Sequence, residues 1–231
     1  MNVLLLGATG LTGSQCLEGL LATPEVERVV TLTRRPLAVD HPRLTAAVAD
    51  FDHLEASARH FEVDVVVCCL GTTLKRAGSR SAFRKVDYEY CFTAARVGKA
   101  RGAKAFILMS AVGANARSPV FYNRVKGELE RDVAALHYPY LSIYHPGLLL
   151  GDRTEHRSGE AAMAVVMPAL NRLLPGPLSK YRGIESADVA QAMVNEVREL
   201  ALSGNMEPQS HVRHYDDIMM LAHAAPVAAG A

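Results

Sequence analysis

The sequence predicts an α/β fold, a doubly wound parallel sheet with helices on both faces, and three observations carry that prediction. Short apolar runs alternate with helix-length stretches over the first two-thirds of the 231 residues. Several runs are continuous and β-branched, as expected for strands covered on both faces. A glycine-spaced turn then joins the first run to the first helix. Alternation of strand and helix implies right-handed crossovers within one parallel sheet.

The strand runs are Val3–Leu6, Val29–Leu32, Leu44–Val48, Val63–Cys69, Ala105–Met109 and Leu141–Tyr144. Among the intervening stretches, Val125, Leu129, Val133 and Leu136 draw one apolar helical stripe. Past residue 148 the rhythm changes. Helical stretches at Gly159–Leu174 and Ser186–Leu202 flank a loop at Pro175-Gly176-Pro177, and a strand-like run at His211–Tyr215 precedes a last helix. Residues 1–231 therefore read as one domain. Within it, 148–223 form a small C-terminal substrate-binding appendage over the carboxyl ends of the strands, where open sheets bind ligands. Residues 224–231, small with one Pro and one Gly, read as a disordered tail.

Composition excludes classes without choosing a chemistry. With 49% apolar and 21% charged residues, the chain is too apolar for disorder. Its 25 Lys+Arg against 24 Asp+Glu leave no overall electrostatic reason for a nucleic-acid or acidic-membrane partner. The N-terminal apolar run is too short for a signal peptide, and the stretch Ala161–Leu170 contains Pro168 and is too short to span a bilayer. A cytoplasmic protein is expected, a monomer or homodimer whose partner is a small molecule. Cys16, Cys68, Cys69 and Cys91 include no Cys-x-x-Cys pair and read as buried, reduced thiols. No metal site is expected, since His211-x-x-His214 with Asp216 lacks a ligand context.

The turn after the first strand reads Gly7-Ala8-Thr9-Gly10-Leu11-Thr12-Gly13. One glycine permits the tight turn, one lets backbone N–H groups approach a pyrophosphate, and one allows close helix–strand contact. Placed between a β-run and a helix, the motif predicts a Rossmann dinucleotide site with Gly7, Thr9, Gly10, Leu11, Thr12 and Gly13 in contact with cofactor. Arg34 stands 21 residues after Gly13, with Arg35 beside it and no Asp or Glu at that strand end. An arginine there accommodates a 2′-phosphate, so NADP(H) is expected in preference to NAD(H). Asp50-Phe51 ends the third strand and either meets the adenine amino group or simply caps the next helix. Cys69-Leu70-Gly71-Thr72-Thr73 closes the fourth strand, where Gly71 would let backbone pass close to the cofactor ribose and threonine hydroxyls would reach phosphate.

Tyr122-Asn123-Arg124-Val125-Lys126 puts a phenol and an ammonium on one helical face. The preceding strand ends at Ser110, so a hydroxyl at a strand end and a phenol on the next helix can face the same cleft. The chemistry asks for such a set. A free phenol titrates near about 10 and needs a neighbouring cation to serve at neutral pH. Lys126 would supply that charge and bind the nicotinamide ribose. Ser110 would hydrogen-bond a carbonyl oxygen, and Tyr122 would deliver the proton.

The order Gly7-x-x-Gly10-x-x-Gly13, Ser110, Tyr122-x-x-x-Lys126 and Pro146-Gly147 resembles the short-chain dehydrogenase/reductase superfamily, in its atypical branch. Cys69-Leu70-Gly71-Thr72-Thr73, Val86-Asp87, Val125-Lys126-Gly127-Glu128 and Pro146-Gly147 with Leu149 and Asp152-Arg153 are similar to the Tat-interacting-protein-type oxidoreductases over roughly residues 1–160. The resemblance implies a Rossmann fold, NADPH binding, a catalytic Ser110–Tyr122–Lys126 set, and the glycine loop and Arg34 or Arg35 as cofactor contacts, with Pro146 and Gly147 also at the cofactor. Two departures stand out: Ala111 where many relatives carry a second Ser, and His145 where many carry Arg. His145 is a possible titrating group near the cofactor.

The expected function is NADPH-dependent hydride transfer to or from a small carbonyl or alcohol. The alternatives are an NADP(H)-binding sensor with vestigial catalysis and a nucleotide-sugar epimerase or dehydratase. Lys75, Arg76, Arg80, Arg84 and Lys85 form a basic run with only Phe83 to stack on a base. It reads as a solvated face, with a phosphate-bearing ligand as the other possibility. Glu155, His156 and Glu160 follow the Pro-Gly turn and receive no role.

Overall fold

In a computed structural model the described residues are 1–151, 171, 174, 176–204 and 208–224. Seven parallel strands form one sheet in the order β3-β2-β1-β4-β5-β6-β9. They are β1 (Asn2–Leu6), β2 (Arg28–Thr33), β3 (Leu44–Val48), β4 (Val65–Cys68), β5 (Ala105–Met109), β6 (Tyr140–Tyr144) and β9 (Gln209–Arg213). A separate two-stranded piece pairs β7 (Leu149–Leu150) with β8 (Ile184–Glu185). The continuous apolar runs are the central strands: Val3, Leu4, Leu5, Leu6, Val65, Val66 and Val67 have no exposed surface.

Helices cover both faces. Leu17 and Leu20 of α1 (Leu11–Ala22) share one core with Val189, Met193 and Val197 of α6 (Ser186–Ser203) and Ile218 of α7 (Tyr215–Ala222). The opposite core joins Leu54 and Phe61 of the 3₁₀ segment Phe51–Phe61, Ala94 and Val97 of α4 (Cys91–Ala100), and Leu129 and Val133 of α5 (Phe121–Ala134). Alternation along β4 sends Val65 and Val67 to the first core and Val66 and Cys68 to the second. Strand order reverses between β1 and β4, which opens the crevice where such sheets take ligands. Short α2 (Leu74–Ala77) and α3 (Arg80–Arg84) follow β4, and a π-helical segment, Lys85–Tyr90, connects α3 to α4.

The C-terminal third departs from the expected appendage. The strand run placed at His211–Tyr215 begins earlier, as β9, and pairs in parallel with β6 from Tyr140↔Gln209 to Tyr144↔Arg213. Tyr215 instead opens α7. With α6 packed beside α1 in one core, residues 186–204 and 208–222 belong to the sheet and its covering layers rather than to a lid above it. A buried polar knot explains this union. Glu196 of α6 is 1% exposed and accepts from Tyr140 Oη, Ser142 Oγ, Tyr144 Oη and the Arg213 guanidinium at 2.8–3.2 Å. Burial and the Glu196 carboxylate push the Tyr144 phenol well above its ordinary value. Of the helix expected at Gly159–Leu174 all but Asn171 and Leu174 lie outside the described residues, as do residues 225–231 of the expected tail.

All four cysteines are buried, free thiols. Cys16 and Cys69 sit in one core, Cys68 and Cys91 in the other.

Candidate active site

Apart from Lys126 on α5, every residue singled out for cofactor follows the carboxyl end of a strand: the glycine loop after β1, Arg34 and Arg35 after β2, Asp50 and Phe51 after β3, Cys69–Thr72 after β4, and Pro146-Gly147 after β6. In the loop, Gly10 N–H donates to Gly7 O at 2.8 Å, closing the turn. Gly7 has φ +85°, and a Cβ there would stand 2.5 Å from Cys69 O. A Cβ on Gly13 would stand 2.1 Å from Gly7 O, so these two glycines let strand, loop and helix touch. Gly10 is the N-cap of α1 and offers no side-chain cap, leaving the first-turn N–H groups facing the crevice. Thr12 is 2% exposed and its hydroxyl has no hydrogen-bond partner among the described residues. An uncapped helix start and an orphaned buried hydroxyl beside it fit a dinucleotide phosphate.

Arg34 and Arg35 are exposed, and among the described residues neither guanidinium pairs with a carboxylate. Asp50 accepts from Asp52 N–H at 2.9 Å and from His53 Nδ1 at 2.8 Å. Its hydrogen bonds with His53 and Asp52 hold its carboxyl below the ordinary value. Of the two readings open for Asp50, the helix cap is the one its bonds satisfy. Phe51 is buried against Tyr90 with ring centres 5.6 Å apart, which leaves its aromatic face in the core. Cys69 is buried with its thiol against Met193 Sδ at 3.7 Å, so only its backbone can serve a ligand.

Tyr122 and Lys126 lie one turn apart on α5, and Tyr122 is within electrostatic reach of the Lys126 ammonium. Lys126 is 3% exposed and pairs with Asp87 Oδ1 at 2.9 Å, while Asp87 Oδ2 accepts from Thr72 N–H at 2.8 Å. Burial works against the ammonium, and the Asp87 carboxylate more than offsets it, so Lys126 is held above the ordinary lysine value. A Cβ on Gly71 would stand 3.5 Å from Asp87 Oδ1 and 3.9 Å from Lys126 Nζ. The absence of a side chain there keeps the pair open to the β4 turn. The Tyr122 ring packs on Phe83 with centres 5.4 Å apart.

Asp87 carries a role that the sequence motif Val86-Asp87 did not disclose. It sits in the π-helical segment, whose wider turn brings a charged side chain to 1% exposure. Asp87→Asn keeps an acceptor for Thr72 N–H but strands the buried ammonium. We expect a loss of about 3 kcal/mol, read by chemical denaturation.

Ser110 directly follows β5 but turns to a different neighbour. Its hydroxyl donates to Glu130 Oε1, the oxygen that His145 Nε2 also meets at 2.8 Å. His145 stacks edge-on against His214 at 5.1 Å. Burial, then the neighbouring His145, push the His214 imidazole below its ordinary value. Glu130 continues the face of Tyr122 and Lys126 at another four-residue step, a spacing visible in the sequence. Pro146 is buried, and its carbonyl accepts from Val112 N–H at 3.0 Å, tying the β5 and β6 turns together. The two histidines weighed as a metal pair part company: His211 meets Gln209 Oε1 and the Tyr140 ring, His214 meets His145. Among the described residues no group of three His, Cys, Asp or Glu is placed to hold a metal, and no helix is long and apolar enough to cross a membrane.

Comparison with known proteins agrees with this geometry. A family model described as NAD(P)H-binding matches residues 7–199. The chain is 31% identical over 233 residues to Protein FMP52, mitochondrial, of Candida albicans, covering 97% of this chain and 99% of that protein. It is 35% identical over 210 residues to Protein HTATIP2 of Rattus norvegicus, covering 89% and 84%. Among solved structures, DesIV, a dTDP-glucose 4,6-dehydratase of Streptomyces venezuelae with NAD and TYD bound, matches with TM-score 0.68 at 19% identity, covering 93% of this chain and 75% of that one. The enzyme WbmH of Bordetella bronchiseptica in complex with NAD⁺ matches with TM-score 0.66 at 15% identity, covering 93% and 75%. These structures share the Rossmann fold. The cytoplasmic expectation is corrected: relatives from Candida albicans, Meyerozyma guilliermondii, Scheffersomyces stipitis and Aspergillus fumigatus are named mitochondrial. By matched length, identity and fold, the chain belongs to the NAD(P)H-binding family and is a homologue of the FMP52 and HTATIP2 proteins.

Proposed function

We propose that the protein is an NADPH-dependent oxidoreductase acting on a small carbonyl or its alcohol. The observation that carries this reading is the pairing of Tyr122 with a buried Lys126 on one helix face, beside the Gly71 turn and across from an uncapped glycine loop. The dinucleotide, when bound, supplies or takes a hydride. The chain's own groups do the rest. The first-turn N–H groups of α1 and the Thr12 hydroxyl bind phosphate. Lys126, locked by Asp87, orients the ribose and sets the charge around Tyr122. Tyr122 gives its proton to the carbonyl oxygen as an alcohol forms and takes it back in reverse. Ser110 reaches a substrate oxygen by exchanging its bond to Glu130 for one to the carbonyl, and the Glu130–His145 contact keeps that carboxylate held meanwhile.

The test is NADPH oxidation across a panel of aldehydes, ketones and quinones, beside direct NADPH binding. Turnover of at least one carbonyl class supports the reading. Tight NADPH binding with no carbonyl consumed anywhere in the panel sinks it, and favours a cofactor-sensing protein. NADPH is favoured over NADH because Arg34 and Arg35 present unpaired guanidiniums at the end of β2. Arg34→Glu should therefore weaken NADPH binding about tenfold or more and leave NADH within about threefold, by fluorescence titration. Equal losses for both cofactors would argue against a 2′-phosphate contact.

A further inference from the structure

The basic run after β4 is not a uniformly solvated face. Its acids are already committed: Glu128 pairs with Arg84, and Asp87 pairs with Lys126. Among the described residues, Arg80 and Arg124 are left without a carboxylate, and so are Lys75 and Arg76 on α2, directly after the Gly71-Thr72-Thr73 turn. Arg80 comes from α3 and Arg124 from α5, yet both guanidiniums lie over one ring, Phe121, at 5.2 and 5.8 Å from its centre. Arg124 is fixed there by donating to Ser118 O and Pro119 O at 3.0 and 3.3 Å. Phe121 packs on Phe83 at 5.8 Å, and the same Phe83 supports Tyr122 at 5.4 Å. Two like charges from separate helices thus converge on the ring next to the proposed proton donor.

Two guanidiniums at one ring, with no carboxylate on either among the described residues, leave positive charge that the ring quadrupole offsets only in part. An oxyanion between the guanidiniums would neutralise it, since planar forks match carboxylate and phosphate oxygens. We propose that the carbonyl substrate is anionic, bearing a carboxylate or phosphate that Arg80 and Arg124 grip at the Phe121 end of the cleft. The site rests on the oxidoreductase reading for its carbonyl end, while the anion end stands on the arginines alone. Arg80 and Arg124 select substrate by charge. Both guanidiniums lie against Phe121, the residue next in sequence to the proposed proton donor at 122.

The experiment titrates the NADP⁺-loaded protein with 4-carboxybenzaldehyde, with its methyl ester, and with 4-formylphenyl phosphate. NADP⁺ has no hydride to give, so binding is read without reduction. At least one anion should bind about tenfold tighter than the neutral ester at low salt, and the better of the two names the oxyanion. That advantage should shrink as salt rises from about 0.02 to about 0.5 M, and disappear in the Arg80→Gln/Arg124→Gln double variant with NADPH affinity kept. No anion advantage, whether all three bind alike or none binds, overturns the proposal. So does an advantage that survives the double substitution. Oxidation of NADPH by the methyl ester is scored separately: an anion advantage without any turnover rejects the oxidoreductase reading and leaves the anion site standing.

Discussion

Tyr122→Phe should slow NADPH-dependent carbonyl reduction about 10²- to 10⁴-fold, which at about 1.4 kcal/mol per decade is roughly 3–5 kcal/mol of transition-state stabilisation. The substitution is clean because the ring's role and the hydroxyl's role separate. The ring packs against Phe83, a contact that phenylalanine reproduces, whereas the hydroxyl is the proposed proton donor beside Lys126. Stability and NADPH affinity should therefore hold, and the loss should fall on kcat rather than on KM. Lys126→Met should differ in kind. It removes the ammonium that Asp87 neutralises, leaves a buried carboxylate alone, and so costs stability as well as rate. A Tyr122→Phe enzyme that turns over like the wild type would remove Tyr122 from the chemistry, whatever the cofactor does.

The parts of this site that the sequence displays are those set by local rules. Gly7, Gly10 and Gly13 fall where a βα turn must be tight, and continuous valine and leucine runs can only be strands covered on both faces. Tyr122 and Lys126 are legible because a four-residue step on a helix is itself a statement about space. Glu130 follows the same rule and was open to the same reading. What stays hidden depends on pairings between distant elements. Asp87 reaches Lys126 only because a π-helical turn rotates it inward, and no residue pattern in Lys85–Tyr90 announces that turn. Ser110 looks free at a strand end until Glu130 and His145 converge on it from α5 and β6. The C-terminal third misleads for a similar reason. Gln209–Arg213 is polar and short, as suits an edge strand exposed on one side, so its apolar signal is too weak to place it beside β6.

The residue that binds that strand into the fold is also the one whose loss should cost most in stability. Glu196→Ala should lower unfolding free energy by about 4–5 kcal/mol, or roughly 10–20 °C in Tm for a chain of this size. The carboxylate is 1% exposed and serves three strand hydroxyls, from Tyr140, Ser142 and Tyr144, together with Arg213 of β9. Removing it leaves a cation without a counter-charge and several buried donors without acceptors, each a desolvation cost with nothing returned. Burial of the apolar parts of α6 is untouched by the change, which isolates the polar knot as the cause. Glu196→Gln retains the shape and part of the hydrogen bonding but not the charge, and should recover about half of the loss. Glu196→Leu paired with Arg213→Met tests the origin of the effect directly. If the cost comes from stranding a buried charge, removing both partners should restore much of the stability, because a well-packed apolar pair replaces a desolvated ionic one. If the double variant is as unstable as Glu196→Ala, the knot contributes through its tyrosine and serine bonds instead. Either result is read from denaturant midpoints at constant m, so that a change in the unfolded chain is not mistaken for one in the fold.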